Sequence, residues 1–276
     1  MKKEIVEKYF INNGSIFPSD SKELSFDKTR KVIYEVIRVI DGKPLFLEEH
    51  IERLKKSANL LNFSIDNMTD TIVTDTKKVI TLNEMPEKNL KILIYNINKP
   101  TPDYYIFFIE SFYPNKELYQ KGIKAITYKA VRDNPQAKVI KADFRNNVNA
   151  VLKQMDAYEA LLLNDADEIT EGSRSNVFFV KDDSVYTSPS KDVLLGVTRT
   201  HIIKLCEKLG INIIEQPITY SFLKSCDGLF ITGTSPKVLP ISKVDDRQFD
   251  SPKNNTILTI MESFDSMIKE YIEYNK

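Results

Sequence analysis

Residues 157–179 read AYEALLLNDADEITEGSRSNVFF. The run Glu159 to Leu163 is strand-like, a polar turn follows, and a second strand enters at Ile169. That strand delivers Glu171 beside a glycine and a run of small polar residues, before the apolar run VFFV begins. A carboxylate half-buried at a strand end is costly unless something pairs with it. A protonated ring nitrogen of a cofactor is one group that fits. The plain alternative is a hairpin with exposed polar residues, since short motifs match by chance.

Composition bounds what surrounds this stretch. The 276 residues allow one large domain or two smaller ones. Lysine plus arginine equals aspartate plus glutamate, 39 each, so there is no basic surplus for nucleic acid or an anionic membrane. Cys206 and Cys226 stand singly in apolar contexts and read as buried, reduced thiols. With only His50 and His201, a multi-histidine metal site is not expected. The opening MKKEIVEKYF lacks the apolar stretch of a secretory signal, and no run is long enough to span a membrane. The cytoplasm is the expected compartment.

Working outward, residues 4–11 read as a strand ended by Asn12-Asn13-Gly14, and VIYEVIRVI (32–40) as a long strand turned by Asp41-Gly42. Leu47, Ile51, Leu54, Ala58 and Leu61 recur at helical spacing, and a second helix is expected over 69–83. LKILIYNIN (90–98) and YYIFFIE (104–110) are two further strands. The reading is α+β, with a small domain over 1–113, a linker over 114–121 and a larger domain over 122–276. In the larger part, AITYKA (125–130) is a strand, VRDNPQAK a polar loop, and a helix runs from about 143 to 155. A helix over 196–209 ends at Gly210 in the C′ place, and a strand over 228–232 leads into GTSPKVLP. The final helix, 255–273, carries an apolar stripe of the kind that packs on a core.

Three places suit a phosphate. LLGVTRTHIIKLC puts a glycine, Val197 and Thr198 at a helix start, where unpaired N–H groups and the dipole favour an anion. An ordinary threonine N-cap is the commoner use of such residues. Thr232-Gly233-Thr234-Ser235-Pro236 follows a strand and offers hydroxyls and glycine backbone, or simply a turn before proline. Arg53, on the first helix, has the fork that suits phosphate, though a helix arginine is more often only solvated. With Glu171 and a lysine upstream, these form a set suited to pyridoxal 5′-phosphate, which needs a covalent lysine, a carboxylate at the ring nitrogen and a phosphate cup.

The sequence resembles the class IV aminotransferases, the fold-type IV pyridoxal-phosphate enzymes. The stretches that carry this are YEVIRV (34–39), LFLEEHIERLKKSANLL (45–61), YEALLL…EITEGSRSNVFFV (158–180), VYTSPS…LLGVTR (185–199) and LFITGTSPKVLPI (229–241). The resemblance implies a small N-terminal α+β domain, a larger C-terminal pseudo-barrel domain and a homodimer. It implies amino-acid and 2-oxo-acid substrates, of branched-chain or D-amino acid type. It assigns Arg53, Val197, Thr198, Gly233 and Thr234 to the phosphate, Glu171 to the pyridine nitrogen and Leu194 to the ring face. Tyr34 and Ser235 fall on the substrate side.

Counting back from Tyr158-Glu159 by the family's gap places the covalent lysine at Lys138. Lys141 is the alternative, because Arg145 follows it by four, as in the lyase-like pattern. The substrate half departs from the family. Phe26 to Val32 replaces a glycine-rich turn, and Asn96-Ile97-Asn98-Lys99 lacks the arginine-histidine pair of D-amino acid enzymes. Asp143 stands near where branched-chain enzymes carry a tyrosine. Arg30, Lys99 and Arg145 are the remaining cations for a substrate carboxylate. Two rival readings stay open: an aminodeoxychorismate lyase on the same fold, and a cofactor-binding relative without transaminase activity.

Overall fold

The computed structural model describes residues 4–21, 31–132 and 134–274. The turn at Phe26 to Arg30, with Arg30 as a candidate cation, lies outside the described residues. The chain divides into two compact units, the first made of Met1–Phe112, Ala137–Ile140 and Ile268–Lys276, the second of Tyr113–Gln136 and Lys141–Met267.

The first unit is a six-stranded antiparallel sheet. Its strands run in the order Ser15–Pro18, Tyr9–Asn12, Asp103–Ile109, Asn89–Tyr95, Ile33–Ile40, Lys43–Pro44. The expected first strand is shorter than its apolar run. It starts at Tyr9 and pairs with Ser15–Pro18 across Asn13-Gly14. Both turn residues have positive φ, 47° and 80°, which suits a two-residue hairpin. Asp41-Gly42 turns Ile33–Ile40 into Lys43–Pro44 in the same way, with φ of 50° and 70°. Ile33–Ile40 alternates buried and half-buried residues, as a strand with one covered face must. Helices Leu47–Asn59 and Thr69–Leu82 supply the cover, and Leu54, Ile72 and Val79 meet Ile33, Ile37, Ile92 and Phe108 in one core.

The second unit carries a longer mixed sheet. Its main path runs Ile213–Glu215, Ser184–Thr187, Asn176–Lys181, Gly228–Gly233, Lys237–Val244, Ile123–Lys129, Glu159–Leu163, Glu168–Gly172, Ile218–Thr219. Glu159–Leu163 is buried along nearly its whole length, and it pairs parallel to Ile123–Lys129 and antiparallel to Glu168–Gly172. Continuous burial explains its unbroken apolar run. The segment after GTSP, which the sequence assigns to no element, continues as strand Lys237–Val244 and pairs back on Gly228–Gly233. Its VLPI is apolar at every position, so no period of two marks it. Helices Ala142–Gln154 and Val197–Lys208 belong to this unit, and Gly210 follows the latter at φ 70°. Cys206 and Cys226 are buried and unbridged, and burial pushes each thiol up to about 12. Among the described residues no helix is long and apolar enough to cross a membrane.

Candidate active site

In the first unit, segment 137–140 lies along the edge of Ile33–Ile40. Tyr34 N donates to Lys138 O at 3.1 Å, Ile140 N to Val32 O at 3.0 Å, and Lys138 N to Ser57 Oγ at 3.2 Å. The backbone of Lys138 is thus pinned to a strand and a helix. Its ammonium stands 4.9 Å from the centre of the Tyr34 ring. The structure therefore brings two of the candidate residues together.

Arg53 lies on Leu47–Asn59 with His50 and Ser57, a buried polar seam beside the helix's apolar stripe. Glu35, which the sequence reading passed over, interrupts an apolar row between Ile33 and Ile37 and is 0% exposed. It accepts from Arg53 Nε at 2.8 Å and Nη2 at 2.5 Å, and lies 2.8 Å from His50 Nδ1. Burial alone drives a carboxyl's pKa upward. The Arg53 charge, with hydrogen bonds from Arg53 and His50, outweighs that and holds Glu35 at about 2. Burial also lowers the His50 imidazole, against the pull of Glu35, so His50 is neutral at pH 7 and Arg53 carries the balancing charge.

In the second unit, Glu171 is 3% exposed. Leu194 N donates to its Oε2 at 3.1 Å, and Arg132 Nη1 stands 3.2 Å from its Oε1. Leu194 is held at its other end as well, its carbonyl accepting from Asn176 Nδ2 and Gly196 N, both at 2.8 Å. The turn after Glu171 is clamped by Glu159. That carboxylate accepts from Ser173 N at 3.0 Å, Ser173 Oγ at 2.6 Å and Ser175 Oγ at 2.7 Å. Five contacts thus fix the short run from Glu171 to Ser175.

Gly196 is the N-cap of Val197–Lys208, and among the described residues no side chain caps that end. A Cβ on Gly196 would meet Asn176 Oδ1 at 2.2 Å, so only glycine lets the loop lie this close. Val197 and Thr198, both buried, form the first turn. Asn176 is paired across the sheet with Thr232, whose buried Oγ1 has no hydrogen-bond partner among the described residues. Gly233, Thr234 and Ser235 follow it into the turn. Open helix N–H groups, threonine hydroxyls and glycine backbone make a donor set suited to a phosphate.

The remaining candidates sit elsewhere. Lys141 is the N-cap of Ala142–Gln154 in the second unit, and its carbonyl accepts from Arg145 N at 3.0 Å. Lys99 pairs with Asp103 at 2.6 Å. Arg132 and Glu159 went unnoticed in the sequence. No fixed spacing links residue 132 to residue 171, and Glu159 reads as one more member of an apolar strand.

Residues 32–244 match the family model described as amino-transferase class IV. D-alanine aminotransferase of Bacillus licheniformis is 31% identical over 238 residues, covering 79% of this chain and 81% of that protein. A Methanocaldococcus jannaschii protein, described provisionally as a branched-chain-amino-acid aminotransferase, is 30% identical over 265 residues, covering 87% and 88%. Among solved structures, the branched-chain amino acid aminotransferase of Escherichia coli superposes with a TM-score of 0.84 at 24% identity, covering 95% of each chain. The chain belongs to the class IV amino-transferase family. It is a transaminase with the fold-type IV architecture, its long sheet curled into a half-barrel. The relatives favour this over the lyase and over a non-catalytic relative.

Proposed function

We propose that this transaminase works with pyridoxal 5′-phosphate bonded at Lys138, and moves an amino group between an amino acid of D-alanine or branched-chain type and a 2-oxo acid. The observation that carries the reading is the buried carboxylate of Glu171, held on one unit with an uncapped helix start. When bound, the cofactor supplies a ring that withdraws charge from the substrate's Cα. Glu171 holds a proton at the ring nitrogen. On the second unit the N–H groups of Val197 and Thr198 and the loop at Gly233 and Thr234 would bind the phosphate, and the family resemblance adds Arg53. Leu194 packs on the ring, and Tyr34 and Ser235 line the substrate side. Once the incoming amino group has displaced it, the Lys138 amine would be free to take the proton from Cα.

Lys138 is preferred to Lys141 because its ammonium stands over Tyr34, while Lys141 caps a helix. The homodimer is proposed from the family resemblance. The test starts with the colour of purified protein. A visible band that borohydride bleaches supports the covalent lysine. A panel of D-alanine, L-leucine and L-valine with 2-oxoglutarate and pyruvate then names the donor. A colourless protein that takes up no pyridoxal phosphate overturns the reading, and light scattering tests the dimer.

A further inference from the structure

We propose that Arg132 is a positioning residue for Glu171: its guanidinium fixes the direction of the carboxylate and keeps it ionised, so that the cofactor's ring nitrogen retains its proton. This rests on the assignment of Glu171 to that nitrogen.

The two oxygens of Glu171 meet different groups: Oε2 accepts from Leu194 N at 3.1 Å, and Oε1 stands 3.2 Å from Arg132 Nη1 in an ion pair that lacks hydrogen-bond alignment. A hydrogen bond on one oxygen and a positive charge beside the other favour one plane for the carboxylate, where the hydrogen bond alone would leave it freer to turn. Arg132 is itself fixed. Its Nη2 donates to Ser173 O at 2.8 Å, and its guanidinium lies 5.7 Å from the centre of the Phe144 ring. Ser173 in turn gives its N–H and hydroxyl to Glu159. One guanidinium therefore spans the Glu171 side chain and the backbone two residues on, a fork that lysine does not reproduce.

The charge acts as well as the geometry. The proton shared between a ring nitrogen and Glu171 has two positions. On nitrogen it leaves a carboxylate beside Arg132, which the guanidinium stabilises as an ion pair at 3.2 Å. On oxygen it leaves a neutral acid and discards that attraction. The repulsion between Arg132 and a protonated ring acts over the longer distance across the carboxylate, so the proton stays on nitrogen. A ring that keeps its proton is the stronger electron sink.

The experiment loads wild type, Arg132→Gln and Arg132→Lys with pyridoxal phosphate labelled with 15N in the ring, reads the nitrogen's NMR shift, and measures kcat and KM. In wild type the shift of a protonated ring nitrogen is expected. In Arg132→Gln it moves most of the way to the unprotonated position, and kcat falls on the order of tenfold with little change in KM, as when an orienting partner is removed. Arg132→Lys keeps the charge but not the fork, so it keeps the ring proton while recovering only part of kcat. An unshifted nitrogen in Arg132→Gln, or equal loss of the proton in both variants, overturns the proposal. Should Arg132→Gln not fold, Arg132→Met takes its place, a lost ring proton supporting the proposal and a retained one ending it. A wild-type protein that takes up no label, or holds it unprotonated, sinks the assignment of Glu171 before any variant is compared.

Discussion

Glu35 grips Arg53 with both carboxylate oxygens, at 2.8 Å and 2.5 Å, on a strand face otherwise given to isoleucine and valine. An arginine presented this way enters any phosphate site already oriented. Removing one partner of a buried pair typically costs about 3–5 kcal/mol, so Glu35→Gln should unfold at markedly lower urea concentration. An unchanged midpoint would show that Arg53 does not depend on this carboxylate.

The same pair sets an acid limit. Glu35 is held at about 2 against a usual 4.5, so it favours the folded state above the unfolded pKa and loses that contribution as pH falls from about 4.5 towards 2. The lowered His50 acts in the same direction from higher pH, because the folded protein resists charging a buried imidazole. Melting temperature should therefore fall as pH drops through this range, and less steeply in Glu35→Gln. Parallel curves for the two proteins would refute the link.

The choice between lysines is direct. Lys138→Ala should abolish the visible band and lower turnover by several orders of magnitude. Lys141→Ala should retain both, since its backbone caps a helix whatever its side chain. The opposite pattern would transfer the covalent role to Lys141.

Gly196→Ala drives a methyl group onto Asn176 Oδ1 and disturbs the 2.8 Å bond from Asn176 to Leu194 O. Overpacking of this kind costs about 1–3 kcal/mol. Equilibrium titration of the apoprotein with pyridoxal phosphate should show weaker binding as the helix start shifts. Wild-type affinity would mean that the helix start takes no part in holding the cofactor.

Glu159→Gln puts an amide donor where serine hydroxyls and a backbone N–H already donate. Leaving one such donor unsatisfied costs about 1–3 kcal/mol. Hydrogen exchange at Ser173 should rise well above that of Ile231 in the neighbouring strands, and equal protection at both would count against the clamp.

How much was legible follows from where each signal lives. Strands with one covered face and helices with one apolar stripe announce themselves by period, and Asn13-Gly14 and Asp41-Gly42 announce their turns by φ. Lys237–Val244 was missed because burial on both faces erases the alternation. Glu171 was visible because a polar run surrounds it. Glu35 was not, since a lone glutamate in a strand reads as exposed, and only the fold shows it on the buried row facing Arg53. Arg132 sits in a loop with no period at all, 39 positions before the carboxylate it serves.

The segment 137–140 groups with the first unit although the residues on both sides of it group with the second. Recombination between relatives must reckon with this interleaving. A hybrid joined near residue 112 would separate Lys138 from the Tyr34 and Ser57 of its own lineage and seat it on a stranger's strand. A working hybrid would need those four residues to travel with the N-terminal portion, a double crossover rather than a single one. Chimeras built both ways would reveal whether the lysine's address is written in its own loop or in the sheet that receives it.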